Sequence, residues 1–207
     1  MPKIRRFLVS SLISTLVIIP YTVLAASFER LSGGILMRGD IVNGDFERFS
    51  QALAMHGNQT IFLSSDGGLV HVALKIAETI RARGIQTHIP AGQICASACV
   101  LIFAGGVIRS ASEGARFGVH MGSSVMNNPV ANEKIESAYQ KSGAKGTAAV
   151  ASDYEQSAAI STLRQVNFYL AAGVSLRLLE IAAKTKHNDV LWLSEIQAKD
   201  FNLINLR

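Results

Sequence analysis

What most constrains this chain is a rhythm. Short apolar runs alternate with stretches whose apolar residues recur at helical spacing, and glycine punctuates the joins. Ile35-Leu36-Met37-Arg38-Gly39-Asp40-Ile41 reads as a strand ending in a turn. Phe46, Phe49, Leu53 and, less strongly, Ala52 follow at helical spacing, so 45–55 is expected to be an amphipathic helix closed by Gly57. Thr60-Ile61-Phe62-Leu63-Ser64 is a buried-strand run ahead of Asp66-Gly67-Gly68. Val70, Ala73, Leu74, Ala77 and Ile80 mark the next helix, with Lys75, Glu78, Arg81 and Arg83 on its other face and Gly84 as its stop. A strand over 85–89, an apolar helix over about 96–104, and strands at Val107-Ile108 and 115–119 continue the series. Such alternation predicts right-handed βαβ units and a largely parallel sheet, an α/β fold.

Beyond this the pattern changes. Residues 121–148 are rich in Ser, Asn, Gly, Ala and Lys and read as a long loop, of the kind that forms a mobile lid or binding segment. A long helix over 150–172, a second over 176–183 and a short one around 194–200 complete the chain. With 49% hydrophobic and 17% charged residues, the composition excludes a disordered chain, and a length of 207 suits one domain, taken as 26–207.

The N-terminus stands apart. Lys3, Arg5 and Arg6 precede the apolar stretch Phe7 to Ile19, and Pro20 and Tyr21 lead to Val23-Leu24-Ala25. This is the order of a secretory signal peptide over 1–25. The alternative is an uncleaved anchor associating with the membrane through residues 7–26, which are long enough to cross a bilayer core of ~30 Å. Either form predicts a periplasmic or secreted domain. The same three basic residues account for much of the net charge of +5, leaving +2 for the rest. With no basic run and few aromatics there, nucleic-acid binding loses its support.

Two segments carry candidate chemistry. In Ser64-Ser65-Asp66-Gly67-Gly68, paired glycines between a strand and a helix let backbone N–H groups approach an anion or an oxyanion; the plain alternative is a tight turn. In Cys95-Ala96-Ser97-Ala98-Cys99, a hydroxyl flanked by small residues opens a helix that is apolar all round. Ser97 there is an N-cap, or a nucleophile held on a rigid element with the Ala98 N–H aimed at the oxyanion. His120 ends the strand of Val119 and is a candidate general base. His71 and His56 belong to helices, His88 to a strand and His187 to a polar loop, with no metal-ligand spacing among them, so no metal and no cofactor is expected.

Taken in order, Ser65-Asp66-Gly67-Gly68, Cys95-Ala96-Ser97-Ala98-Cys99, Ala104-Gly105-Gly106 and Ala115-Arg116-Phe117-Gly118-Val119-His120 resemble the ClpP/crotonase superfamily. The likeness is specifically to ClpP-like serine peptidases and their periplasmic relatives, and it runs from about Ile35 to Leu206. It implies repeated ββα units with a largely parallel sheet flanked by helices, and C-terminal helices. It also implies Ser97 as nucleophile, His120 as base, and the N–H groups of Gly68 and Ala98 as the oxyanion hole. The family's acid precedes a Leu-Ser element; here that element is Leu193-Ser194, and Asp189 is the nearest carboxylate before it, although a strict match falls on Val190. Asp66 departs from the family's usual proline and would oppose charge developing nearby unless its side chain points away. The implied activity is acyl transfer on a peptide or unfolded-protein substrate, by a protein that self-associates as a homo-oligomer. A non-catalytic binding or scaffold protein of the same fold is the rival expectation. A CoA-dependent crotonase is disfavoured, because that chemistry does not need a Ser–His pair.

Cys95 and Cys99 flank the candidate nucleophile. In an oxidising compartment a strained disulfide becomes possible if Cys95 lies just before the helix begins; within one regular helix the geometry is poor, and two small buried thiols are the equal alternative.

Overall fold

A computed structural model describes residues 25–57, 59–123, 125 and 128–206. The signal or anchor expected at the N-terminus falls almost entirely outside the described residues. Among those described, no helix is long and apolar enough to cross a membrane.

The elements run β1 (Ser27–Leu31), β2 (Gly34–Arg38), α1 (Asp45–His56), β3 (Thr60–Ser64), α2 (Val70–Ala82), β4 (Thr87–Ile89), β5 (Ile94–Ala96), α3 (Ala98–Ala104), β6 (Arg109–Ala111), β7 (Arg116–Val119), α4 (Pro129–Ala172), α5 (Arg177–Lys184), β8 (Leu191–Trp192) and α6 (Glu195–Asp200). Most β-segments come in pairs before a helix, giving the ββα repeat. One sheet has the order β1-β2-β3-β4-β6 and is parallel except for β1, which forms an antiparallel hairpin with β2. A second sheet, β5-β7-β8, has β5 and β7 parallel and β8 antiparallel. The architecture is the expected α/β fold with a largely parallel pairing, divided into two sheets.

Strand β2 is buried at Gly34, Ile35, Leu36 and Met37, as parallel strands covered on both faces must be. The core joins Ile35 and Met37 to Ile61, Leu63, Ile76, Ile80 and the whole of α3. Helix α3 is buried at every one of its seven positions. Its close approach to α2 depends on a glycine: a Cβ on Gly105 would lie 2.5 Å from the Ala77 carbonyl oxygen.

Residues 129–148, expected within a long loop, are helical and form the first half of α4, which departs from helical geometry inside only at Gly143 (φ 56°, ψ −147°). Ser, Asn and Gly lower helix propensity without forbidding a helix, and Ala, Lys, Glu and Gln intersperse them here. Pro129 at the first position and Asn128, whose side chain accepts the Ala131 N–H, start it. Among the described residues, coil in this region is confined to 121–123, 125 and 128. The strand expected at Val107-Ile108 lies two residues later, and the helix expected from about 96 begins at Ala98, because Ile94–Ala96 pairs as β5.

The C-terminal segment is fastened by a buried cation. Arg109 is 1% exposed. Its guanidinium donates to the carbonyl oxygens of Leu203 (2.8 Å), Gly106 (2.9 Å), Asn202 (2.7 Å) and Ala172 (3.3 Å). Its own N–H donates to Asn205 Oδ1 at 2.7 Å, while Asn205 Nδ2 donates to the Val107 carbonyl at 3.0 Å. Burial, followed by the charge of Arg81, pushes the Arg109 pKa down to about 10.

Candidate active site

The site forms where the two sheets meet. Beyond the end of β3, Ser65 bridges to Cys95: the Ser65 N–H donates to the Ile94 carbonyl at 3.0 Å, and the Ala96 N–H donates to the Ser65 carbonyl at 2.9 Å. The following Asp66-Gly67-Gly68 corner is thereby laid against the end of β5. Gly67 has φ 112° and Gly68 φ 134°, values that side chains rarely adopt. Close packing excludes a side chain as well. A Cβ on Gly67 would lie 2.6 Å from Ser97 Cβ and 3.0 Å from the Ala98 nitrogen, and one on Gly68 would lie 2.2 Å from the Ile41 carbonyl oxygen. The corner is braced by the Ile41 N–H donating to the Gly67 carbonyl at 2.7 Å, and by the Gly67 N–H donating to Ser65 Oγ at 3.1 Å.

Ser97 stands one residue past β5 and one before α3. Its backbone (φ 53°, ψ −124°) is neither strand nor helix, and its side chain caps nothing. One of the two expected roles, the N-cap, is thus absent. Only Ser97 and Asn202 among the described non-glycine residues have positive φ. The Ser97 N–H donates to the Gly118 carbonyl at 2.8 Å, which fixes the turn to β7. Ala98 is the first residue of α3, where a backbone N–H has no partner inside its own helix. Among the described residues neither the Gly68 nor the Ala98 N–H has an acceptor, and both flank the Gly67–Ser97 contact. These are two unpaired backbone donors, one on each of the two corners that meet at Gly67 and Ser97, and backbone donors of that kind can stabilise an oxyanion.

His120 stands one residue past β7. Since Ala96 of β5 pairs with Gly118 of β7, Ser97 and His120 leave the C-terminal ends of neighbouring parallel strands, which lie ~4.8 Å apart. Their side chains share no hydrogen bond. His120 Nδ1 instead meets the Met121 carbonyl at 3.0 Å. A carbonyl only accepts, so this contact places a proton on Nδ1, and in the neutral ring that leaves the Nε2 lone pair available, the tautomer a general base requires. The Met121 N–H in turn donates to the Thr185 carbonyl at 2.9 Å, tying this turn to the end of α5.

Asp189 is exposed, and its Oδ1 accepts the N–H of the next residue, Val190, at 2.9 Å. No hydrogen bond joins Asp189 to His120. The ring beside His120 is that of His187, with centroids 5.9 Å apart, and its buried Nδ1 has no partner among the described residues. The sequence places His187 in a polar loop and gives it no role. The only signal that could have placed it is the two-residue strand β8, which is too short to show a period. Asp66 is exposed, and its charge acts on Asp40, whose carboxyl is raised above the usual range by burial first and Asp66 second. Cys95 and Cys99 are bonded to each other across Ser97, with Cα atoms 5.2 Å apart. No group of three or more metal-ligating side chains occurs among the described residues.

No family model and no curated protein matches this sequence. Solved structures do. ClpP1 from Listeria monocytogenes aligns over 84% of this chain and 89% of its own at 19% identity, with a TM-score of 0.52. A point mutant of that ClpP1 aligns over 84% and 90% at 19% identity, with a TM-score of 0.49. At such identity the likeness is one of architecture, and on that footing the chain has a ClpP-like fold.

Proposed function

We propose that this protein is an exported serine hydrolase, a peptidase that acts by acyl transfer from Ser97. The observation that carries this reading is the reversed backbone at Ser97, held against glycine backbone at 67 and one strand away from His120. A serine that only began a helix would adopt extended backbone and turn its hydroxyl onto the first-turn amides; this one does neither.

In the proposed reaction His120 Nε2 takes the Ser97 proton as Oγ attacks the substrate carbonyl. The N–H groups of Gly68 and Ala98 hold the oxyanion, and His120 returns the proton to the leaving amine. Water then repeats the sequence on the acyl-enzyme. The orienting partner of His120 is the Met121 carbonyl, which does for the tautomer what an acid does in a Ser-His-Asp triad. An unfolded or short peptide is the expected substrate and a homo-oligomer the expected working form, both resting on the resemblance of the motifs.

The experiment is labelling of the purified protein with a fluorophosphonate probe. Wild type labels, and Ser97→Ala abolishes labelling. His120→Ala slows it by about 100-fold, within the range general-base removal gives. Asp189→Asn stays within about threefold, whereas a true third triad member would cost ~10⁴. A second reading has one observation in its favour: Ser97 Oγ and His120 are not hydrogen-bonded. Correctly folded protein that fails to label would make this a binding or scaffold protein on the same fold.

A further inference from the structure

We propose that the Cys95–Cys99 disulfide is a positioning device for the Ser97 nucleophile, a role that rests on the hydrolase reading above. The bond closes a ring of five residues whose middle member is Ser97 and whose fourth, Ala98, carries one proposed oxyanion donor. Cys95 belongs to β5 and Cys99 to α3, so the bond fastens a strand end to a helix start directly across the reversal between them.

The conformation and the bond require one another. Four residues apart in a continuous strand, the Cα atoms would stand ~13 Å apart, beyond disulfide reach. In a continuous helix the side chains four apart lie on one face, but their Cβ atoms are not placed for bridging. Here the reversal at Ser97 brings the Cα atoms to 5.2 Å. By reciprocity, a bond that forms only in the reversed geometry favours that geometry over the alternatives. Ser97 needs that help: it is not glycine, yet its φ is 53°.

Ring size separates this role from general stabilisation. Cross-linking limits the unfolded chain in proportion to the logarithm of the loop closed, and a five-residue loop is near the bottom of that scale. Both cysteines are fully buried, so the bond sits inside the folded protein rather than on a surface exposed to exchange. Its effect is therefore expected at 96–98 rather than across the fold.

The test uses the full chain, wild type and the Cys95→Ala/Cys99→Ala double variant, read in two ways. One is the maximal rate and the half-saturating concentration of fluorophosphonate labelling. The other is amide hydrogen exchange in peptides covering 94–101 and 70–82. The double variant is expected to label about tenfold more slowly at saturation or worse, with half-saturation within twofold, as small misplacement of a reacting atom gives. Exchange in 94–101 is expected to speed up about tenfold while 70–82 stays unchanged. If the alanine pair fails to fold, Cys95→Val/Cys99→Ala refills the vacated volume and replaces it. Wild-type labelling and exchange rates in the variant would overturn the proposal. So would equal acceleration in both peptides, which would mark a general stabiliser, or two free thiols in denatured, unreduced wild type. Should wild type itself not label, the hydrolase reading fails, and exchange alone still decides whether the bond holds the reversal.

Discussion

At Ser97 a single residue meets three demands. It must turn the chain from strand to helix, present a hydroxyl, and leave the next N–H free. Glycine would meet the first more cheaply, since a non-glycine residue in such a conformation costs ~1–3 kcal/mol. The neighbours that offset this cost are the Gly118 carbonyl, the bare face of Gly67 and the Cys95–Cys99 bond. Asp40, next to the Ile41 that braces the glycine corner, carries an electrostatic cost. Its carboxyl is raised by burial and by Asp66, so folding disfavours its ionised form. Well above the carboxylate range the group is ionised in both the folded and the unfolded chain, and the folded state bears the penalty. Below the ordinary aspartate range it is protonated in both, and the penalty vanishes. Asp40→Asn should therefore raise the thermal midpoint at pH 7, with the gain fading as pH falls through the carboxylate range. A series of melting curves at stepped pH checks this, and a gain that persists in acid would contradict it.

Among the elements, the two loop corners that face each other, β3 to α2 and β5 to α3, are matched at backbone distance. Gly67→Ala places a methyl 2.6 Å from Ser97 Cβ and 2.8 Å from the Ala96 carbonyl oxygen, at a φ that disfavours any side chain. We expect a loss of ~3 kcal/mol. That corresponds to about 6–12 °C in thermal midpoint for a domain of this size. Probe labelling should fall with it even well below the transition, since the corners separate locally. The elements around this contact were largely legible in the sequence. Thr60–Ser64 shows as a continuous apolar run, and α2 as an apolar stripe ended by Gly84, because each buries a regular face. Strand β5 was hidden, since three residues show no period and Cys95-Ala96 run smoothly into the apolar α3. The first half of α4 was hidden for the opposite reason. It is exposed along most of its length, so burial never selected an apolar stripe there. Within the candidate site, Ser97 and the glycine corner were readable from their order along the chain. The Met121 carbonyl and the His187 ring were not, because backbone acceptors leave no trace in sequence and β8 is only two residues long.

Among the described residues, two sheets are joined by one short bridge and closed by the C-terminal segment. Ser65 and Cys95 make the bridge, so the glycine corner and the Ser97 turn are set by how the sheets seat on one another. Arg109 is the largest fully buried side chain, and it binds the segments around Gly106, Ala172, Asn202 and Leu203. Arg109→Met leaves those carbonyls without their donor, and we expect a loss of ~3–5 kcal/mol. Arg109→Lys should fall between, since one ammonium cannot reach acceptors spread around a planar fork. Denaturant midpoints of the two variants, measured side by side, check the order; equal stability in both would mean that charge alone matters.

That fastening also bears on when the protein can mature during synthesis. The acceptors at 202 and 203 and the reciprocal amide of Asn205 lie more than 90 residues downstream of Arg109. While those downstream residues are still inside the ribosomal tunnel, Arg109 has no place to be buried. A nascent chain therefore cannot seat Arg109 in its buried cradle until residues 202–205 have emerged.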